Sequence, residues 1–214
     1  MTVLDLGCGS GGLAKYLAEN YQVKVVGYNI SKEQCEYAEK LCKGLPVTIV
    51  LDDYRNATGE FDRVFSVGLV EHLGHKNYRT YFEVVDRCLK ADGIHVFESM
   101  VRFDEQMPDH DKFLDTYVLP HSQLPLLTQF LHAMEDLFIL EDLQNIGYDY
   151  HKTLVAWYEN FQKAWPKFEA KYGQKFYRMF SIFLCSMGGF FKARKIQCCQ
   201  IVLTKTKLAR TYER

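Results

Sequence analysis

The chain has 214 residues, enough for one sizeable hydrophobic core and short for two, so a single domain is expected over 1–214. With 48% hydrophobic and 25% charged residues it lies outside the disordered class, and its longest apolar run, 180–191, is too short to cross a bilayer. The net charge of −1 is unevenly spread: residues 151–214 hold 13 Lys and Arg against 3 Asp and Glu, whereas 1–150 hold 13 against 24.

Short β-branched or aromatic runs at 2–6, 23–27, 47–51, 63–67 and 94–97 read as strands bounded by turns. Met1 and Thr2 run straight into the first of them, so no signal peptide is expected. Helical patterns lie between. The clearest starts at Ser31, which forms a capping box with Gln34. Cys35, Ala38, Leu41 and Cys42 then make an apolar stripe that ends at Gly44. A second, at 77–89, puts Tyr81, Phe82, Val85 and Leu89 on one face. Strand–helix alternation of this kind predicts a parallel sheet covered on both sides.

After residue 100 the rhythm changes. Residues 102–125 read as a loop with three prolines, 153–172 and 174–193 as two long aromatic helices, and 196–204 as a closing strand. The basic balance of 151–214 points either to an anionic partner or to a solvated helical face. Seven cysteines without C-x-x-C spacing predict neither a metal site nor a disulfide framework. They read as reduced thiols of a cytoplasmic chain, packed as small hydrophobes.

The first strand, Val3-Leu4-Asp5-Leu6, leads into Gly7-Cys8-Gly9-Ser10-Gly11-Gly12. Glycines there let backbone approach a ligand closely, and NAD, FAD and S-adenosylmethionine sites all use such a loop. Two features separate them. Asp5 precedes the loop, where it can order the turn and receive an amino group through water. The second strand ends in Gly27-Tyr28-Asn29, so the acidic ribose ligand of an NAD site is missing, although Asn29 can still bond a ribose hydroxyl. At the third strand end, Asp53 can accept from an adenine amino group and Tyr54 can cover the ring. The candidate S-adenosylmethionine set is therefore Asp5, Gly7, Cys8, Gly9, Gly11, Asn29, Ile30, Gln34, Asp53 and Tyr54.

The run VLDLGCGSGGLAKYLAENYQVKVVGYNISKEQ, followed by LDDYRN, FDRVFSVGLVEHLGHKNYRTYF and VVDRCLKADGI, resembles the cyclopropane fatty acid synthases. So do NIGYDYHKTLVAWYENFQKAWP and GGFFKARKIQCCQ, which are more specific than the glycine loop. The resemblance implies an α/β class I methyltransferase fold: a Rossmann-like, mostly parallel seven-stranded sheet with a helical lid inserted before the last strand. It assigns 102–195 to the substrate pocket and lid. It implies transfer of a methyl or methylene carbon from S-adenosylmethionine to the double bond of an unsaturated phospholipid acyl chain, by a cytoplasmic enzyme peripheral to an anionic membrane surface. Methylation of a small amine and a non-catalytic cofactor-binding role are the alternatives. Nucleic acid is not an expected partner, since no N-P-P-Y signature occurs, and self-association is left open.

By the same resemblance a bound bicarbonate removes the proton that closes the ring. Glu71 of Glu71-His72-Leu73-Gly74 matches the acidic residue of the bicarbonate site, Tyr150 its tyrosine, and Glu141 a second acidic residue nearby. Three departures stand out. Glu98 replaces the family histidine, Met187 replaces a family cysteine with Cys185 two places earlier, and the chain opens at the first strand without the N-terminal helices of the family. A carboxylate at Glu98 would repel bicarbonate and is a candidate built-in base in its place.

Overall fold

A computed structural model describes residues 1–106, 108, 111–206 and 212. Within these the strands are β1 (Thr2–Leu6), β2 (Lys24–Asn29), β3 (Val47–Leu51), β4 (Phe61–Val67), β5 (Leu89–Val101), β6 (Phe138–Asn145) and β7 (Gln197–Lys205). The helices are α1 (Gly12–Tyr21), α2 (Lys32–Leu41), α3 (Tyr78–Cys88), α4 (Lys112–Tyr117), α5 (Leu127–Ala133), α6 (Gly147–Ala164) and α7 (Glu169–Lys192). The seven strands form one sheet in the order β3-β2-β1-β4-β5-β7-β6, and the pairs from β3 through to β5 are parallel.

The chain forms two compact units. The first takes Met1–Ser99, Gln129–Gln144 and the chain from Gln200; the second takes Met100–Thr128 and Asn145–Cys199. In the first, Leu4, Leu6, Val64, Phe82 and Val85 are fully buried. Edge-on contacts join Tyr78, Tyr81, Phe82, Phe97 and Phe130 between α3, β5 and α5, as ring quadrupoles favour. His95 lies inside this cluster, stacked on Phe97. Its Nδ1 bonds the Val64 carbonyl, which can only accept, so Nδ1 carries the proton and Nε2 accepts from the Tyr81 hydroxyl. Burial pulls its pKa down to about 4, which keeps it neutral.

In the second unit α6 and α7 pack around Leu154, Leu184, Met187 and Phe191, with Tyr150 and Phe161 against them. The expected helix 153–172 begins earlier, at Gly147, and stops at the Trp165–Lys167 turn, where Pro166 cannot continue it. α7 is interrupted at Gly173, whose φ of 70° and ψ of 169° no helix accommodates. The region read as loop, 102–125, holds the short α4, and Arg102 gathers its backbone by donating to the carbonyls of Leu124, Asp104 and Glu105. Met107, Asp109 and His110 of that region lie outside the described residues, as do Lys207, Arg210 and Arg214 of the basic C-terminal stretch.

Candidate functional site

The strand order reverses between β1 and β4. A doubly wound sheet has its crevice there, outside the carboxyl ends of the strands. The first unit carries a cavity of about 250 Å³ at this place. Gly7 after β1, Asn29 and Ile30 at the end of β2, Asp53 and Tyr54 after β3, and Leu69 and His72 after β4 all line it.

The glycine loop is shaped by its own backbone. Gly7, Gly9 and Gly11 have φ of 78°, 53° and 79°, in the left-handed region. The amides of Gly7 and Cys8 both donate to the Tyr28 carbonyl, at 2.9 and 3.0 Å. These two donors are therefore used internally and are not available to a pyrophosphate. A Cβ on Gly11 would stand 2.8 Å from Ala38 Cβ, whereas one on Gly9 would meet nothing within 4 Å. Gly11 lets α2 pack on the loop, while Gly9 leaves a space facing away from the protein.

Several predicted residues are committed, wholly or in part, to partners within the protein. Cys8 is buried, with its Sγ where a side chain on Gly27 would be, and burial pushes its thiol up to about 12. Gln34 forms only half of the expected capping box. Its amide N–H donates to the Ser31 hydroxyl at 3.4 Å, but its side-chain oxygen accepts from Asn29 at 2.8 Å instead of returning to Ser31. Asn29 also donates to the Gly9 carbonyl at 3.1 Å and accepts from the Ser31 amide. Its amide thus ties the loop to the start of α2. Asp53 lines the cavity but already accepts a two-point ion pair from Arg55, which lowers its pKa. Tyr54 is nearly buried, edge-on to Tyr81, so it offers the cavity little of its ring.

Asp5 is 2% exposed, and its Oδ2 has no hydrogen-bond partner among the described residues. Desolvation raises its pKa from 3.8 to about 7. Between those values the folded chain holds a proton that the unfolded chain has released, so stability falls as pH rises through this window. In urea unfolding Asp5 should withdraw about 2–3 kcal/mol between pH 5 and pH 8, set against the opposite contribution of His95, whose lowered pKa makes stability rise over the lower part of that range. Asp5→Asn, which cannot ionise, should lack that loss; parallel profiles would exclude Asp5 as the source.

The acidic candidates divide. Glu71 sits in the Val70–His72 turn between cavity-lining Leu69 and His72, with its Oε2 buried. Glu98 pairs in register with Val67 at the carboxyl end of β4, and its carbonyl accepts from the Gly68 amide at 3.2 Å. Glu71 and Glu98 are thus brought to the same end of adjacent strands. Gln200 on β7 donates to Glu98 Oε2 at 3.2 Å. Glu141 on β6 accepts from Thr204 on β7 at 2.6 Å. Gln200 and Thr204 are four residues apart, about 13 Å along an extended strand, so Glu141 is anchored well away from Glu98. Tyr150 belongs to the second unit, where its ring packs on Phe191 at 5.0 Å and meets Trp157 edge-on.

Sequence reasoning missed Leu69, His72, Leu73 and Asn77 on the cavity wall. They lie on two 3-10 turns and their flanks after β4, which carry no apolar periodicity. Burial lowers the pKa of His72, favouring neutral imidazole at the wall.

Residues 1–201 match the mycolic acid cyclopropane synthetase family. The chain belongs to that family. Over 205 residues it is 46% identical to the cyclopropane-fatty-acyl-phospholipid synthase of Escherichia coli K12, a match covering 96% of this chain and 53% of the relative. This member thus spans about half the length of the curated relatives it matches first. The solved structure of mycolic acid cyclopropane synthase CmaA1 complexed with SAH and CTAB is 25% identical, with a TM-score of 0.87 over 96% of this chain and 78% of that one. The cyclopropane synthase MmaA2 of Mycobacterium tuberculosis shares the fold, at a TM-score of 0.88 and 24% identity over 95% and 77% of the two chains. The sheet of this cyclopropane synthetase family member is accordingly the Rossmann-like sheet of the class I methyltransferases.

Proposed function

We propose that this chain binds S-adenosylmethionine in the cavity at the strand ends and transfers its methyl carbon to the double bond of an unsaturated phospholipid acyl chain. The observation that carries the reading is the convergence of four parallel strand ends, one bearing the glycine loop, on a single cavity in a member of this family. The cavity suits the cofactor. Asp5 presents a buried carboxyl oxygen without a partner beside the loop, where an amino group acting through water would supply a donor. Gly9 leaves open space in front of its backbone. Asn29, Ile30, Asp53 and Tyr54 line the same cavity, and on this reading the first two would meet the ribose and the last two the adenine edge.

When bound, S-adenosylmethionine supplies an electrophilic methyl group held on a sulfonium. Transfer of that methyl to an alkene would leave positive charge on the acyl chain, and this is the charge that the residues beside the cavity would have to meet. Glu71 stabilises that charge, and carboxylates fixed in place before the reaction do so without reorganising. Glu98 takes a proton from the transferred methyl, the C–H pair closes the ring, and the carboxyl becomes neutral. Bicarbonate, which the family resemblance supplies for this step, is then not required.

Incubating the intact protein with labelled S-adenosylmethionine and mixed phospholipid vesicles tests this reading. Label should appear in acyl chains with a mass gain of one methylene unit. Label recovered only in water-soluble amines would replace it with small-amine methylation, and no transfer from a bound cofactor would leave a binding protein.

A further inference from the structure

The second unit contains a cavity that none of the groups above explains. It has a volume of about 340 Å³ and is walled by Phe113 and Tyr117 of α4 and by Tyr172, Lys175, Phe176 and Met179 of α7. The volume lies near the lower limit of small-molecule sites, which run from ~300 to ~1,000 Å³. The lining is aromatic and aliphatic except for one ammonium. Tyr117 and Tyr172 are 53% and 45% exposed, so the cavity opens to the surface between two wet phenols. Gly173 interrupts α7 between Tyr172 and Phe176, whose rings lie 4.9 Å apart on the cavity wall.

The rim is basic. Lys171 lies over the Tyr172 ring at 5.0 Å, Lys175 lines the cavity, and Arg178 stands one helical turn beyond Lys175. None of the three has a carboxylate within salt-bridge distance among the described residues. An apolar slot with phenols at its mouth and nearby cations that lack a carboxylate partner among the described residues matches a single amphiphile: an aliphatic chain carrying an anionic head group, lying in a bilayer surface. A free anion would leave the slot unused, and a neutral lipid would leave the cations unused.

We infer that the α4–α7 slot is a docking subsite for an anionic phospholipid, taking part of one acyl chain between the aromatic walls while Lys171, Lys175 and Arg178 meet the phosphate-bearing surface. This rests on the lipid reading of the function, but makes a separate claim: the slot holds the protein to the membrane and takes no part in the reaction.

Co-sedimentation of the intact protein with phosphatidylglycerol-containing and pure phosphatidylcholine vesicles tests it. The parent should prefer the anionic vesicles and lose affinity as salt rises from 0.05 to 0.5 M. Each basic residue near such a surface is worth about fivefold in affinity, so Lys175→Glu/Arg178→Glu should weaken binding by about 25-fold or more at low salt. The matched reversal Lys192→Glu/Arg194→Glu, at the far end of α7, should weaken it much less. Tyr117→Ser/Tyr172→Ser should cost about tenfold at both salt concentrations, because it removes apolar wall and no charge. Equal binding to both vesicle types, equal losses in the two charge reversals, or parental binding by the tyrosine variant would each overturn the subsite. Melting temperatures within a few degrees of the parent show that the variants fold, and all substituted side chains are exposed. Transfer to detergent-dispersed phosphatidylglycerol, read separately, distinguishes the two claims: vesicle results as expected with no transfer to any acyl chain would leave the docking subsite and remove the proposed reaction.

Discussion

Gly9→Val is expected to weaken S-adenosylmethionine binding about a hundredfold or more by isothermal titration calorimetry, without unfolding the protein. Gly9 sits at φ 53°, where a β-branched residue costs roughly 1–3 kcal/mol. The loop can relieve that strain by moving while no ligand is bound, so the cost returns when the cofactor requires the original backbone. The added methyls also extend into the space where a Cβ meets no described atom within 4 Å, the space that the proposed cofactor would occupy. That openness is also why the fold should survive. Gly11 differs, because any Cβ there meets Ala38 at 2.8 Å and the damage falls on packing. Gly9→Ala should show a smaller loss than valine. Parental affinity in Gly9→Val would place the cofactor elsewhere.

Glu98→Gln is expected to lower the transfer rate by about 10²–10⁴, the usual value of a positioned base. The parent should be indifferent to removal of bicarbonate. Glutamine keeps the shape of the side chain beside Gln200 but cannot take up a proton. Glu98→His, which replaces an anion with a donor, should become dependent on added bicarbonate. Rates measured in degassed and bicarbonate-supplemented buffer check all three proteins. Full activity of Glu98→Gln, or a bicarbonate requirement in the parent, would show that Glu98 is not the base.

Much of the sheet was legible because its strands are short and β-branched. β1 and β3 begin and end where the residue pattern puts them. β5 is longer than its 94–97 core because Leu89 already pairs with Phe61, across a register shift that the charged Lys90 and Asp92 conceal. β6 gave no clear signal. Its sequence FILEDLQN is half polar, as suits a strand at the edge of the sheet. The glycine loop and strand ends mark the site in the sequence, but the division of labour within them does not appear there. Cys8 and Gly11 are used in packing, Asn29 and Gln34 bond each other, and Asp53 is held by Arg55. Each of these depends on a neighbour that only the folded chain brings close.

The place of β7 between β5 and β6 also bears on how the protein is made. Two strands laid down earlier, β5 and β6, have no shared edge and meet only through the last one. While the ribosome is still adding residues 146–196, both present unpaired backbone, the form of edge most prone to joining another chain. Closing the sheet pairs β7 with a strand that began more than a hundred residues earlier, a non-local step of the kind that slows folding. A nascent chain stalled or cut before Gln197 would therefore lack more than one strand's worth of structure, leaving two open edges and depriving Glu98 and Glu141 of Gln200 and Thr204.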